Sequence, residues 1–259
     1  MKIDSSISAI VTGGASGLGF ATVQALRAAG AKVAIFDLNP EAGEKAAAET
    51  GSTFCQANVL DEDSLDAAFA KSRGAIGVAR ALIACAGGGN AYTTIRRDKK
   101  TGEIARFPTG EFAKVVALNA VGTFATITRF AADAATLDEI EGERGAIVCT
   151  ASIAGAEGMT GQAAYAAGKA AIIGMTLPVA RDLSRFGIRV NTILPGTFDT
   201  PLMRTMGEEG RAALSANVPF PKRFGDASEF ADLALTLVRN TYMNGETIRI
   251  DGAQRFKHG

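Results

Sequence analysis

Tyr165 and Lys169 stand four residues apart in the stretch Gly161-Gln162-Ala163-Ala164-Tyr165-Ala166-Ala167-Gly168-Lys169. On a helix that spacing puts both on one face. Small apolar neighbours and the lack of any proline before Pro178 predict a buried helix here. A phenol and an ammonium are both costly to bury without partners, so the pair is an odd choice for plain core. As chemistry it is coherent. A nearby cation favours the phenolate, and bringing a tyrosine from a pKa of about 10 to about 7 takes about 4 kcal/mol. A phenol so tuned exchanges a proton at neutral pH. The same spacing arises by chance in many helices, so alone it favours a structural pair.

Other residues narrow the choice. The single histidine is His258, which removes His-based triads and most zinc sites, and no metal is expected. Acid–base chemistry then falls to Tyr, Lys, Ser or carboxylates. Ser152 closes a strand 13 residues before Tyr165, so a hydroxyl and a phenol can converge on one small oxygen atom. Asn119 lies in a long helical stretch where Asn has no propensity advantage. Buried there it must find partners, either as a structural polar group or through waters leading to Lys169.

A second group of residues reads as a phosphate cradle. Thr12-Gly13-Gly14-Ala15-Ser16-Gly17-Leu18-Gly19 follows a strand and opens a helix. Glycines there allow a tight turn and bring backbone N–H groups to a pyrophosphate at the positive helix end. Asp37 ends the next strand, 18 residues after Gly19, where a carboxylate accepts both ribose hydroxyls and repels a 2′-phosphate. No Arg or Lys lies among residues 13–19. NAD is therefore expected over NADP. The competing reading is a glycine turn with a helix-capping Asp, but Asn39-Pro40 already supplies a cap and first-turn proline.

The elements that must position these residues alternate in type. Short apolar runs at 7–11, 32–36, 53–55, 80–84, 146–149, 189–194 and 247–250 are separated by amphipathic stretches at 17–29, 40–50, 64–72, 111–137, 162–185 and 228–239. Several runs are nearly continuous apolar, as strands covered on both faces require. The expectation is an α/β chain: one Rossmann domain over 1–259, doubly wound, with a mostly parallel seven-stranded sheet and helices on both faces. Ligands gather at the carboxyl ends of such strands, here Thr12, Asp37, Asn58-Val59, Ala86-Gly87, Ser152 and Pro195-Gly196-Thr197. With 27 basic and 27 acidic residues, neither nucleic acid nor an anionic membrane is an expected partner. No apolar run approaches a membrane span of about 18 residues. Three cysteines without a Cys-x-x-Cys, and an N-terminus leading almost directly into a strand, predict a reduced, cytoplasmic setting with no signal peptide.

Taken together, Thr12-Gly13-x-x-x-Gly17-x-Gly19, Asp37, Asn119-Ala120-Val121-Gly122, Ser152, Tyr165-x-x-x-Lys169, Pro195-Gly196 and Asn244-Gly245-Glu246 resemble the compact short-chain dehydrogenases/reductases over the whole chain. The resemblance implies hydride exchange with NAD(P). Tyr165 is then the general acid/base, Ser152 holds the substrate oxygen, Lys169 binds the nicotinamide ribose and lowers the Tyr165 pKa, and Asn119 holds a relay water. It also implies a cofactor site of Gly13, Ser16, Gly17, Leu18, Gly19, Asp37, Asn58, Val59, Cys85, Ala86, Gly87, Tyr165, Lys169, Pro195, Gly196, Thr197, Phe198 and Thr200. Substrate contacts fall to Ser152, Gln162 and Tyr165. Two positions depart from the family pattern: Ala84-Cys85-Ala86-Gly87 replaces Asn-Asn-Ala-Gly, and Asn58 replaces an Asp.

Within that family, Cys85-Ala86-Gly87, Gly161–Tyr165, Gly174-Met175-Thr176-Leu177-Pro178 and Val218-Pro219-Phe220-Pro221 resemble the 3-hydroxyacyl-CoA and hydroxysteroid dehydrogenases. The implied substrate is a 3-hydroxyacyl-CoA or other secondary alcohol, with a steroid, aryl or ring alcohol as the alternative and a non-catalytic NAD-binding scaffold as the rival class. An insertion at about 90–108 carries Arg96-Arg97-Asp98-Lys99-Lys100, read either as a contact for coenzyme A phosphates or as a solvated hairpin tip. Residues 197–221, with Thr200-Pro201 as a helix start, form either a substrate lid or a surface helix. The last run predicts an edge strand at which the family resemblance implies a homotetramer.

Overall fold

The computed structural model describes residues 1–204 and 207–256, without the side chains of residues 202, 204 and 213. Seven parallel strands form one sheet: β1 (Ser8–Thr12), β2 (Lys32–Asp37), β3 (Thr53–Gln56), β4 (Ala81–Ala84), β7 (Gly145–Thr150), β8 (Ile188–Pro195) and β9 (Thr247–Ile250), in the order β3-β2-β1-β4-β7-β8-β9. A separate antiparallel hairpin, β5 (Ile95–Arg97) with β6 (Ile104–Arg106), lies inside the insertion. The seven apolar runs are these seven strands.

Two cores explain the continuous apolar runs. Ile10, Ala34, Leu82 and Ile147 point to one side and pack on α3 (Glu62–Ile76), α5 (Gly122–Ala134) and α7 (Ala163–Ser184) through Leu65, Phe69, Ile127, Phe130 and Ile172. Val11, Val33, Ile35 and Val148 point to the other, onto α1 (Gly17–Ala28), α2 (Pro40–Thr50) and α10 (Ala227–Arg239) through Val23, Leu26, Ala46, Phe230 and Leu235. The inner strands β1, β4, β7 and β8 are buried on both faces, so polar alternation is lost there, while the edge strand β9 is exposed to half-buried. Strand order reverses between β1 and β4, which opens a crevice at their carboxyl ends. The α2 start follows the expected capping: Asn39 Oδ1 accepts from Ala42 N–H at 3.1 Å and Pro40 is the first helical residue.

Two expectations are corrected. The stretch 111–137 is α4 (Thr109–Val116), one π-helical turn (Ala117–Val121) and then α5, rather than one regular helix. The extra residue in that turn lets the Asn119 side chain fold back and donate to the Val115 carbonyl at 2.8 Å. Stretches Thr109–Ala134 and Ala163–Ser184 are long and apolar enough by composition to cross a membrane. Part of each apolar surface serves the core, where Ile127, Phe130 and Ile172 are fully buried, while Phe112, Val121, Phe124 and Leu177 are exposed.

The remaining elements frame the crevice. They are the short α6 (Ala154–Glu157) after β7, α8 (Pro201–Arg204) and α9 (Glu208–Ala216).

Candidate active site

Thr12 locks the two turns at the crevice side by side. Its Oγ1 accepts from Ala86 N–H at 3.1 Å and its carbonyl from Cys85 N–H at 3.1 Å. Gly13 has φ +62°, and a Cβ there would stand 2.9 Å from the Ala86 nitrogen. A Cβ on Gly19 would lie 2.2 Å from the Gly13 carbonyl oxygen, and one on Gly17 (φ +54°) would meet Thr200 at 3.6 Å. Gly13 and Gly19 admit no side chain at these distances, whereas at Gly17 the contact with Thr200 is ordinary and the left-handed φ is what favours glycine. Ser16 at the N-cap gives no side-chain cap, which leaves the first-turn N–H groups of α1, Leu18 among them, to an anion. The cradle therefore fits a pyrophosphate. Half-buried Asp37 accepts from Ala15 N–H through Oδ2 and from Asn39 N–H through Oδ1, both at 3.1 Å. That ties the carboxylate to the glycine turn and leaves lone pairs for ribose hydroxyls.

The other wall is the triplet Gly87-Gly88-Gly89. A Cβ on Gly89 would strike the Tyr165 ring at 2.7 Å, and one on Gly87 would lie 2.7 Å from Asn119 Oδ1 and 3.1 Å from Lys169 Nζ. Bare glycine at 87 thus keeps a small polar space between those two atoms. Asn119 itself is fully buried. Its Nδ2 donates to the Gly88 and Val115 carbonyls at 2.7 and 2.8 Å, and its Oδ1 accepts from Gly88 N–H at 3.3 Å. Within the protein, the backbone of Gly88 and Val115 supplies its partners, and Oδ1 keeps one lone pair beyond the Gly88 N–H.

Helix α7 carries Tyr165 and Lys169 on one face, but their contact differs from the sequence expectation. Lys169 Nζ sits 5.7 Å from the centre of the Tyr165 ring and donates to the Thr150 carbonyl at 2.8 Å. Burial holds its ammonium down to about 8, against the opposing influence of Cys85 and Cys149. Tyr165 is shifted up, not down: burial raises it, a hydrogen bond with the Ser152 hydroxyl opposes this, and Lys169 is not among the causes. The side chain that the spacing suggested as the tuning cation reaches past the phenol to the end of β7. Ser152 Oγ also accepts from Ala154 N–H at 3.1 Å, which fixes the hydroxyl at the start of α6.

Gln162 caps α7 from a half-buried position, with its Oε1 buried and unpartnered, as is Asn90 Oδ1. Tyr92 N–H donates to the Gly161 carbonyl at 2.9 Å, so the insertion begins beside Gln162. Arg96, Arg97, Lys99 and Lys100 are all exposed on the hairpin, whose tip is closed by Asp98 accepting from Lys100 and Thr101 N–H at 2.7 and 2.9 Å.

Several expected cofactor residues serve the frame. Val59 is buried, and a Cβ on Gly122 would press on its side chain at 2.6 Å. Half-buried Asn58 accepts from Leu60 N–H at 3.1 Å. Cys85 Sγ takes the Thr150 hydroxyl at 3.3 Å, and burial pushes its thiol up to about 11, so it is inert at neutral pH. The Phe198 ring is turned into the core, edge-on to Phe230 with centroids 6.4 Å apart; only its backbone stands on the loop after β8. Pro195 and Gly196 end that strand against Asp251, whose Cβ would be 2.7 Å from a Cβ on Gly196. Thr197 gives both its donors to Gln254. The lid expected at 197–221 falls partly on residues 205–206, outside the described residues, as does His258.

Thr150, Gly88, Gly89 and Gln254 were not singled out from sequence. The glycine triplet was the available signal for two of them; nothing local marks the others.

Comparisons with known proteins give relatives over nearly the whole chain. The family model described as enoyl-(acyl carrier protein) reductase matches residues 13–253. The chain is 41% identical over 252 residues to 3-hydroxyacyl-CoA dehydrogenase type-2 of Homo sapiens, covering 96% of this chain and 95% of that protein. It is 33% identical over 251 residues to acetoacetyl-CoA reductase of Synechocystis sp., covering 94% of each. A crystal structure of 3-hydroxyacyl-CoA dehydrogenase type-2 from Mycobacterium avium superposes with a TM-score of 0.93 at 48% identity, covering 100% of both chains.

Proposed function

The chain belongs to the short-chain dehydrogenase/reductase family, and on that premise we propose that it interconverts 3-hydroxyacyl-CoA and 3-ketoacyl-CoA with NAD. It is an oxidoreductase acting on CH–OH groups with a nicotinamide cofactor and a small-molecule substrate. The observation that carries the reading is Lys169 Nζ over the Tyr165 ring at 5.7 Å, with Ser152 on the same site and pulling the phenol's pKa down against burial.

In the oxidative direction the Ser152 hydroxyl binds the carbinol oxygen and Tyr165 removes its proton as the C=O bond forms. The bound nicotinamide supplies the acceptor for the hydride leaving carbon. Lys169 provides positive charge behind the phenol. The space at Gly87, between Lys169 Nζ and Asn119 Oδ1, suits a water that carries the proton away. The turn of Gly13, Gly17 and Gly19 with the α1 N-terminus holds the pyrophosphate. Asp37 holds the adenosine ribose, and its charge favours NAD over NADP. Gln162 marks the substrate side, and the exposed cations of the hairpin beside it suit the coenzyme A phosphates.

The working state is proposed as a cytoplasmic homotetramer associating in part at β9, the free edge of the sheet; a solution mass equal to one chain would remove that part. Tyr165→Phe is the direct test of the site. NADH formation from 3-hydroxybutyryl-CoA should fall by about three orders of magnitude or more, with NADH binding within about twofold. Screening hydroxyacyl-CoAs of graded length against steroids and aryl alcohols tests the substrate class, and a preference for a ring alcohol would overturn it.

A further inference from the structure

Gln254 is 1% exposed, and its side-chain hydrogen bonds among the described residues go to a single residue. Its Oε1 accepts from Thr197 N–H at 3.2 Å and from Thr197 Oγ1 at 3.1 Å, while Nε2 is buried with no partner. The Thr197 carbonyl accepts from Gly225 N–H at 3.0 Å. Both donors and the carbonyl of Thr197 are therefore held within the protein.

The backbone that delivers Gln254 is unusual. After β9 the chain turns through Gly252 (φ +57°) and Ala253 (φ +64°), and a non-glycine residue in the left-handed region is disfavoured. Asp251 Oδ1 takes Ala253 N–H at 3.0 Å, and Arg249 and Arg255 both donate to the Gln254 carbonyl, at 3.1 and 2.6 Å. The same two arginines pair with Glu157, at 2.7 and 3.3 Å, and Glu157 accepts Phe256 N–H at 3.0 Å. The tail 249–256 thus grips the end of α6, the helix that starts two residues after Ser152, and the loop after β8, which three residues on brings Thr200 against Gly17. A left-handed alanine and an orphaned buried donor both cost stability. Both occur where they place one amide oxygen under Thr197.

We propose that Gln254 is a positioning residue for the nicotinamide cofactor, latching Thr197 so that the loop from Pro195 to Thr200 is preset opposite the glycine turn. This rests on the cofactor site described above. A preset loop is ordered before binding, so the ordering entropy is not charged against cofactor affinity.

Gln254→Met keeps length and volume, and it removes the orphaned donor together with the acceptor. Two measurements test the latch. In the cofactor-free protein, hydrogen exchange at the Thr197 amide should speed up by about tenfold. By calorimetric titration the Kd for NADH should rise by about tenfold, the loss of one to two hydrogen bonds, with KM for the hydroxyacyl substrate within about twofold. Thr197→Val, which keeps the N–H but not the hydroxyl, should give a smaller rise, and the double variant should bind no worse than Gln254→Met. Unchanged Thr197 exchange or unchanged NADH affinity in Gln254→Met overturns the proposal. So does a parallel loss of cofactor affinity, substrate affinity and melting temperature. Should Gln254→Met not fold, unchanged NADH binding by Thr197→Val overturns it equally. Wild-type protein that binds neither NADH nor NADPH removes the cofactor site itself, whereas wild-type binding matched by both variants removes only the latch.

Discussion

Lys169 Nζ lies 5.7 Å from the centre of the Tyr165 ring yet spends its hydrogen bond on the Thr150 carbonyl, at 2.8 Å. The shared helix face brings the two residues together without making the lysine the phenol's partner. Burial then governs both groups, moving the phenol up and the ammonium down.

The Tyr165 phenol should therefore ionise above the ordinary tyrosine value in the cofactor-free protein. An ultraviolet pH titration of wild type minus Tyr165→Phe reads this directly. Lys169→Met should leave that free-protein ionisation in place. In turnover, where a charged lysine favours phenolate, the same variant should shift the pH profile for oxidation to higher pH. A Tyr165 titrating below its ordinary value without cofactor would contradict the geometry.

Lys169 has a consequence for stability that is opposite in sign to a paired lysine. Its folded value, about 8, is below the ordinary one of 10.5. Below pH 8 both folded and unfolded chains carry the proton, and the fold bears the full cost of the buried charge. Between pH 8 and 10.5 the unfolded chain holds more protons, so this contribution to stability rises with pH. Lys169→Met should be more stable than wild type at pH 7, with the gap closing as pH rises through that window. Urea midpoints at pH 7, 8.5 and 10 measure it; a constant gap would mean that Lys169 does not titrate there.

The inner strands were legible in the sequence because several are nearly continuous apolar runs, which two-sided burial selects, while the edge strand at 247–250 shows as an alternating Thr-Ile-Arg-Ile. The glycine turn and Asp37 were legible because a tight turn needs glycine and a strand end needs a reason to be acidic. The π-helical turn was not: residues 115–122 contain no proline and no charge to mark it, and it shows only where Asn119 bonds back to Val115. The Tyr165 proton balance was hidden as well. Spacing fixes which face a side chain leaves from, while the reach of Lys169 to Thr150 depends on a strand 19 residues away in sequence. Gln254 is the extreme case, since its placement under Thr197 follows from a left-handed Ala253 that no sequence rule would assign.

Cofactor choice should turn on Asp37. Its carboxylate stands on the glycine turn through Ala15 N–H, and residues 13–19 hold no cation to offset a 2′-phosphate. Asp37→Ser keeps a short acceptor for the turn and removes the charge. The ratio of kcat/KM for NAD over NADP should fall by at least about tenfold, the effect of removing roughly 1.4 kcal/mol of repulsion and ribose bonding. An unchanged ratio would assign discrimination to another residue.

The hairpin gives the last prediction. Arg96, Arg97, Lys99 and Lys100 are exposed, and none is placed by an ion pair among the described residues. The hairpin base is anchored beside Gln162 by Tyr92 N–H on the Gly161 carbonyl, and Tyr92 stacks on Phe107 with ring centroids 4.9 Å apart. An anchored base with an exposed cationic surface, where Arg97 donates to the Gly102 carbonyl at 2.9 Å, suits an anionic handle that projects from the site while the reacting carbon stays at Tyr165. Reversing the four charges to Glu should leave the fold intact, because exposed charges contribute little to stability. Each lost phosphate contact at such a surface is weak, about 0.2–1 kcal/mol, so together they should raise KM for acetoacetyl-CoA by about tenfold with kcat nearly unchanged. The wild-type KM should itself rise with ionic strength as the Debye length shortens to about 8 Å and below, and the reversed variant should lose that dependence. KM for a small uncharged alcohol should be the same in both proteins; an equal rise for both substrates would place the hairpin's effect on the site and not on the coenzyme A handle.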